Sequence, residues 1–242
     1  MADQFTRTQM IFGLAGMEKL KKSRIAVFGI GGVGGYAVEA LARSGVGALD
    51  LFDDDKISVT NINRQIHATV NNIGEYKIIA AKKRALEINP EIIIGAHNIF
   101  ISPETSGLIN FGEFDYIIDA IDTITGKIEL ALKSREYNIP IISSMGAGNK
   151  INPEMFEVAD IYDTKICPLA RVMRRELKKR GIEKLKVVYS KEPALKPHDI
   201  DSGDIEITRK LRVPGSNAFT PAAAGLIIAG EVIKDLTGYK NF

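Results

Sequence analysis

The 242-residue sequence has one cysteine, no tryptophan and three histidines. A single cysteine excludes an internal disulfide framework and any zinc site built from Cys-x-x-Cys pairs, and it suits a reducing compartment. The opening residues, Met1-Ala-Asp-Gln-Phe5, lack the basic-then-apolar order of a signal peptide. The late apolar run from Ala222 to Gly230 is far shorter than the roughly 20 residues a membrane span requires. A cytoplasmic location is therefore expected. Charge of one sign is also missing: 32 Lys+Arg against 30 Asp+Glu leaves +2, an average that points to neither nucleic acid nor membrane. Internal repeats and low-complexity tracts are absent. What remains is a chain with 45% hydrophobic residues, long enough to bury roughly 70% of its unfolded surface without covalent staples.

Short β-rich runs alternate with helical stretches over the first 145 residues. Arg24 to Gly29, Ala48 to Asp53, Glu91 to His97, Phe114 to Asp119 and Ile139 to Ser143 read as strands. Val33 to Ser44, Tyr76 to Asn89 and Gly126 to Tyr137 carry helical apolar spacing. Repeated β-α-β order predicts an α/β fold with a Rossmann-like, doubly wound, mostly parallel sheet, since parallel neighbours need crossover helices. Any ligand then belongs at the carboxyl ends of the strands. After Gly146 the character changes. Phe156 to Ile161 reads as a strand, Leu169 to Arg180 as a basic helix, Lys191 to Gly203 as a mobile loop, and Pro221 to Leu236 as a buried helix. The expected organisation is one domain over residues 1–242, with a nucleotide-binding core at about 20–150 and a basic C-terminal elaboration at about 151–242.

Gly29-Ile-Gly31-Gly32-Val-Gly34 fits G-x-G-x-x-G between a strand and a helix. The first glycine permits a tight turn, the second lets a phosphate approach the backbone, and Gly34 permits close helix-strand packing. Free N–H groups and the helix dipole then favour an anion. Asp53 ends the next strand, where a carboxylate can accept from ribose hydroxyls. To this point NAD and ATP both fit.

The next segment favours a triphosphate. Asp53-Asp-Asp55 leads into Asn61-Ile-Asn-Arg64-Gln65, and Lys77 follows on the next helix. Two phosphates are adequately held by a glycine turn, whereas a triphosphate calls for additional cationic donors. Asp119 and Asp122 close the fourth strand, where Mg²⁺ could bridge phosphate oxygens.

Taken in order, the glycine turn, Asp53, Asn61 to Gln65, Lys77 and Asp119-Ala-Ile-Asp122 resemble the motif set of the ThiF/MoeB/HesA family, adenylating enzymes related to ubiquitin-activating enzymes. The resemblance implies that Gly29, Gly31, Gly32, Gly34, Asp53, Asp55, Asn61, Arg64, Gln65, Lys77 and Asp122 bind ATP. It implies catalytic roles for Arg64, Lys77 and Asp122, with Mg²⁺ held near Asp122 through the phosphates. Arg7 resembles an N-terminal arginine that reaches the nucleotide across a homodimer interface. In this family a carboxylate attacks the α-phosphate of ATP, giving an acyl adenylate and pyrophosphate.

Members that activate ubiquitin-like sulfur carriers commonly have two Cys-x-x-Cys pairs, and Cys167 alone cannot supply them. The second half offers a different substrate. Residues 165–191 hold ten basic side chains and two acidic ones, a net +8 that leaves −6 for the rest of the chain. Arg171, Arg174, Arg175, Lys178 and Lys179 are expected to face outward from the basic helix and engage RNA phosphates by counterion release. With Asn63-Arg-Gln-Ile-His67, Pro168 to Gly181 and Gly215 to Pro221 added, the pattern is similar to the tRNA-modifying branch of the family. That resemblance implies adenylation of the threonyl carboxylate of a modified adenosine in a tRNA anticodon loop, then ring closure by its ureido group with net loss of water. It also implies tRNA as a partner and admits a cysteine desulfurase or sulfur-acceptor system as another. The rival readings are adenylation of a ubiquitin-like carrier's C-terminus and, from a different class, a Rossmann oxidoreductase or nucleotide-sensing module. Cys167 reads as a plain thiol, and His67, His97 and His198 as structural or surface residues.

Overall fold

Strands with apolar side chains on both faces need cover on both faces, and the fold supplies it. The computed structural model describes residues 3–198 and 214–239. Strands β1 (Arg24–Phe28), β2 (Ala48–Phe52), β3 (Ile93–His97), β4 (Tyr116–Asp119), β5 (Ile141–Ser144), β6 (Phe156–Asp160) and β7 (Lys186–Ser190) form one sheet in the order β3-β2-β1-β4-β5-β7-β6. All neighbours are parallel except the edge pair β6–β7. Among the described residues the α-helices are α1 (Thr6–Lys22), α2 (Gly34–Arg43), α3 (Lys77–Ile88), α4 (Ile124–Tyr137), α5 (Pro168–Lys179) and α6 (Thr220–Thr237). No described helix is long and apolar enough to cross a membrane. One sheet thus carries strands from both halves of the sequence, and the mostly parallel α/β fold is as the β-α alternation required.

The main core lies where α2, α3 and α6 cover one face of β1, β2 and β4. Ile25, Val27, Leu49, Leu51 and Ile118 meet Ala37, Leu41, Ile78, Ile228 and Val232 there. A second cluster, with Phe28, Phe52, Phe111 and Leu130, covers the other face. The core tolerates the Asp50 carboxylate on β2 because Arg24 Nε and His97 Nε2 each approach it to 2.8 Å. Burial would raise this carboxyl, but the hydrogen bonds from Arg24 and His97 outweigh that and hold it below its usual range. His97 also stacks on Phe52 at 4.4 Å.

Helix α6 packs closely on α2 because its Ala and Gly positions remove bulk. A β-carbon at Gly225 would lie 2.2 Å from the Val33 carbonyl oxygen at the start of α2. The helix ends at Gly238, whose φ of 73° favours a residue without a side chain.

Two elements escaped the sequence reading. Helix α1 is interrupted at Gly13, with φ of 68° and ψ of 175°, so its apolar residues keep no single helical period. Strand β7 lies inside the basic segment, where neighbouring charge masks the short apolar run Val187-Val-Tyr189. The expected mobile loop also needs revision at its start. Glu192 is buried, and its carboxylate accepts from the backbone amides of Ile151 and Asn152, the latter at 3.0 Å. Residues 199–203 of that expected loop lie outside the described residues.

Gly225→Ala should lift α6 off the glycine turn and destabilise the protein by about 2 kcal/mol, the scale of an overpacked core. Denaturant unfolding checks this, and an unchanged midpoint would show that α6 shifts freely on α2.

Candidate active site

The strand order reverses direction between β1 and β4, which opens a crevice at their carboxyl ends. A cleft of about 580 Å³ occupies that position. Its wall includes Gly29, Gly31, Gly32, Asp53, Asp55, Asn61, Arg64, Gln65, Lys77 and Asp122, so the structure brings most of the expected nucleotide set together. Two expected residues stand apart. Gly34 does not line the cleft; a β-carbon there would lie 1.8 Å from the Gly29 carbonyl oxygen, so its role is to let the turn close on itself. Arg7 is exposed on α1 and is not part of the cleft wall of its own chain.

The turn is shaped by sterics before it is shaped by charge. Gly29 has φ of 87°, and a β-carbon there would meet the Ala120 carbonyl at 2.7 Å. Gly32 has Arg64 Cγ and Pro221 Cβ each 3.3 Å from where a β-carbon would be. The turn is therefore seated on the end of β4 and against the start of α6.

Asp53, expected to face a ribose, is held by two backbone amides. Its Oδ2 accepts from the Ile30 amide at 2.7 Å and its Oδ1 from the Asp55 amide at 2.9 Å, which ties β2 to the glycine turn. Burial pushes its carboxyl up from the ordinary value against the opposing pull of Lys77. Lys77, itself buried, places Nζ 2.6 Å from Asp55 and 3.6 Å from Asp53. Arg64 is steadied by donation from one nitrogen to the Thr60 carbonyl at 2.8 Å and to Asn63 Oδ1 at 3.0 Å. Gln65 is buried in the same wall, and its Oε1 has no partner among the described residues. An unpartnered buried acceptor is unfavourable unless a ligand satisfies it.

Asp119 and Asp122 separate in role. Asp122 is exposed in the cleft, whereas Asp119 is fully buried in an ion pair with Lys127 and is not available to a metal at the surface of the cleft. The carboxylates of Asp53, Asp54 and Asp55 can bring oxygens within 4.8 Å of one another, and Asp122 adds a fourth carboxylate to the wall. Hard oxygen donors of this kind fit Mg²⁺.

Sequence reasoning missed the far wall: Ile99, Phe100 and Ile101 after β3, Ala147 and Gly148 after β5, and Pro214, Ser216 and Pro221 before and at the start of α6. These residues have no chemical signature. The rule that ligands sit at carboxyl ends would have found the loops after β3 and β5. The approach of residues 214–216 depends on Asn149, with φ of 56°, which exchanges hydrogen bonds with the Gly215 backbone at 2.7 and 2.8 Å.

His67 ends the segment that carries Arg64 and Gln65. It is buried with neither ring nitrogen hydrogen-bonded among the described residues. Burial, reinforced by Lys77 and Arg84, pushes its pKa down from 6.5 to about 4.

The basic helix presents a smaller cationic face than its composition suggests. Arg174 was expected outward, but its guanidinium turns in to the Thr164 carbonyl at 2.9 Å and to the Thr164 hydroxyl. The reason is local: Thr164 lies on the turn that leads into α5, within reach of the long Arg174 side chain. Arg175, Lys179 and Arg180 converge on Glu176, whose carboxyl falls to about 2, with hydrogen bonds from Lys179 and Arg180 the largest cause. Arg171 and Lys178 are exposed and have no ion pair among the described residues. Cys167 is buried at the start of α5, in keeping with a plain thiol.

Strand order and a glycine turn opening on a cleft that holds both cations and carboxylates define a Rossmann-like nucleotide-binding protein. The family model described as "ThiF family" matches residues 5–242. The chain belongs to the ThiF family. It is 44% identical over 243 residues to the tRNA threonylcarbamoyladenosine dehydratase of Bacillus subtilis, an alignment covering 98% of this chain and 95% of that protein. The Escherichia coli enzyme of the same name is 38% identical over 175 residues, covering 72% of this chain and 65% of that protein. The crystal structure of E. coli tRNA N6-threonylcarbamoyladenosine dehydratase, TcdA, in complex with ATP superposes with a TM-score of 0.87 at 31% identity, covering 97% of this chain and 94% of that one.

Because the His67 ring is neutral in the fold, its contribution to stability is complete above pH 6.5 and is lost as the pH falls toward 4. His67→Leu should flatten the stability profile across that window, relative to wild type, by up to about 1.4 kcal/mol per pH unit. Denaturant unfolding at pH 4 to 7 checks it; parallel profiles would contradict a neutral buried ring.

Proposed function

We infer that the chain catalyses ATP-dependent dehydration of threonylcarbamoyladenosine in tRNA, through adenylation of the threonyl carboxylate. The observation that carries this is the gathering of Arg64, Lys77 and Asp122 around a phosphate-binding turn in a chain whose full-length relatives bear that activity in their names. A carboxylate and a triphosphate repel each other, so the chemistry needs positioning and charge neutralisation more than a nucleophilic side chain. The glycine turn holds phosphate through backbone N–H groups, Arg64 and Lys77 offset its charge, and Gln65 Oε1 is free to accept from the bound nucleotide. Carboxylate oxygen bonds to the α-phosphorus as pyrophosphate leaves. The ureido group then closes on the activated carbonyl as AMP leaves. Closure is intramolecular and needs no enzyme thiol, which fits a buried Cys167.

Asp122, in the same cleft wall as the carboxylates of Asp53 to Asp55, would hold Mg²⁺. That ion supplies charge neutralisation to the departing pyrophosphate. The chain acts as a homodimer: Met10, Ile11 and Leu14 expose apolar surface on α1, and Arg7 on the same helix would serve the cleft of a second copy. Exposed Arg171 and Lys178 lead the contact with tRNA phosphates, with Arg175 and Lys179 contributing less because each shares the Glu176 carboxylate. The site of action is the cytoplasm. A cysteine desulfurase or sulfur acceptor as accessory partner rests on the family resemblance alone.

Arg64→Ala and Asp122→Asn should each lower AMP formation on threonylcarbamoyladenosine-bearing tRNA by about 100-fold while the far-UV spectrum is unchanged. Full activity in either variant removes that residue from the mechanism. Reversing Arg171 and Lys178 to Glu should flatten the dependence of tRNA affinity on salt more than reversing Arg175 and Lys179. Equal slopes would contradict the assigned division of the basic face.

A further inference from the structure

Just below the cleft lies a cluster of buried charge that the adenylation chemistry does not touch. Asp119, the last residue of β4, and Lys127, in the first turns of α4, are both inaccessible to solvent. Lys127 Nζ lies 3.0 and 3.1 Å from the two carboxylate oxygens of Asp119, donates to the Ser144 carbonyl at 2.7 Å, and lies 3.3 Å from Ser143 Oγ. The Ser143 hydroxyl in turn donates to Asp119. One ammonium therefore joins the carboxyl ends of β4 and β5 to the start of α4.

Taking both charges out of water is unfavourable, and a well-packed apolar pair would serve stability as well or better. The strands need no such help, since β4 and β5 already pair through their backbones. What the cluster does hold is the chain that forms the floor of the cleft. Asp119 Oδ1 accepts from the Ile121 amide at 3.3 Å, one residue before Asp122, and Ala147 and Gly148, which also line the cleft, follow Ser144 closely in the chain. We propose that Lys127 is a positioning residue for adenylation: through Asp119 it fixes the backbone that aims Asp122 at the reacting phosphate. The role is indirect, and it rests on the assignment of Asp122 given above.

Replacing the pair together, Asp119→Asn with Lys127→Met, strands no lone charge in the interior. The expected result is a folded protein with the KM for ATP little changed and kcat for AMP formation reduced about 100-fold, the scale set by a misplacement near 1 Å. In an Asp122→Asn background the same pair should produce no further loss in single-turnover rate, because the group being aimed is already gone. A normal kcat in the pair variant beside a crippled Asp122→Asn overturns the positioning role alone, as does a loss that multiplies in the Asp122→Asn background. A normal kcat in Asp122→Asn overturns the assignment of Asp122, and this role with it. If the pair variant does not fold, Ser143→Ala removes one arm of the cluster without touching a charge. It should lower kcat several-fold at unchanged KM, again with no effect in the Asp122→Asn background, and wild-type kcat would overturn the role.

Discussion

No side chain fits between the first and last glycines of the turn, and much of the structure follows from that. The contact of Gly34 with the Gly29 carbonyl closes the loop between β1 and α2, so the start of α2 faces the crevice. Gly29 in turn rests on the backbone of Ala120, which sets the distance from the turn to Asp122. Gly225 lets α6 approach Val33, and Pro221 at the head of α6 reaches Gly32. A phosphate site assembled from backbone N–H groups requires this absence of side chains, and three separate elements are spaced by it.

Charge is distributed by a different logic. Buried charges are paired: Asp50 with Arg24 and His97, Asp119 with Lys127, and Lys77 with Asp55 at the protein surface. The first two pairs lie away from the open cleft, while Lys77 and Asp55 are at its wall, where a nucleotide can compete for the ammonium. Outside, the cations of the basic helix sort by partner. Glu176 gathers Arg175, Lys179 and Arg180, Arg174 is drawn into the backbone, and Arg171 and Lys178 have no ion pair among the described residues.

The parallel core and the nucleotide cleft were legible because their signals are local: apolar runs, a glycine spacing, and a carboxylate at the end of the next strand. Arg64, Gln65 and Lys77 could be placed in one site because the strand-end rule converts sequence order into position. Contacts without such a rule were not legible. Asp119 and Asp122 look alike in the sequence, and only the side-chain direction at the end of β4 buries one and exposes the other. Arg174 and Arg175 are adjacent in the chain, and a helical rotation of one residue turns one to the backbone of residue 164 and the other to solvent. Helix α1 was hidden by its break at Gly13, and strand β7 by its charged neighbours.

In the proposed reaction the activated carboxylate belongs to a nucleoside of tRNA, and activation ends in loss of water. Mass spectrometry of nucleosides from tRNA incubated with the protein and ATP tests it most directly. The expected product is a threonylcarbamoyladenosine-derived nucleoside lighter by one water, formed with one AMP per product. An unchanged nucleoside mass, with AMP instead joined to the C-terminus of a small carrier protein, would contradict it.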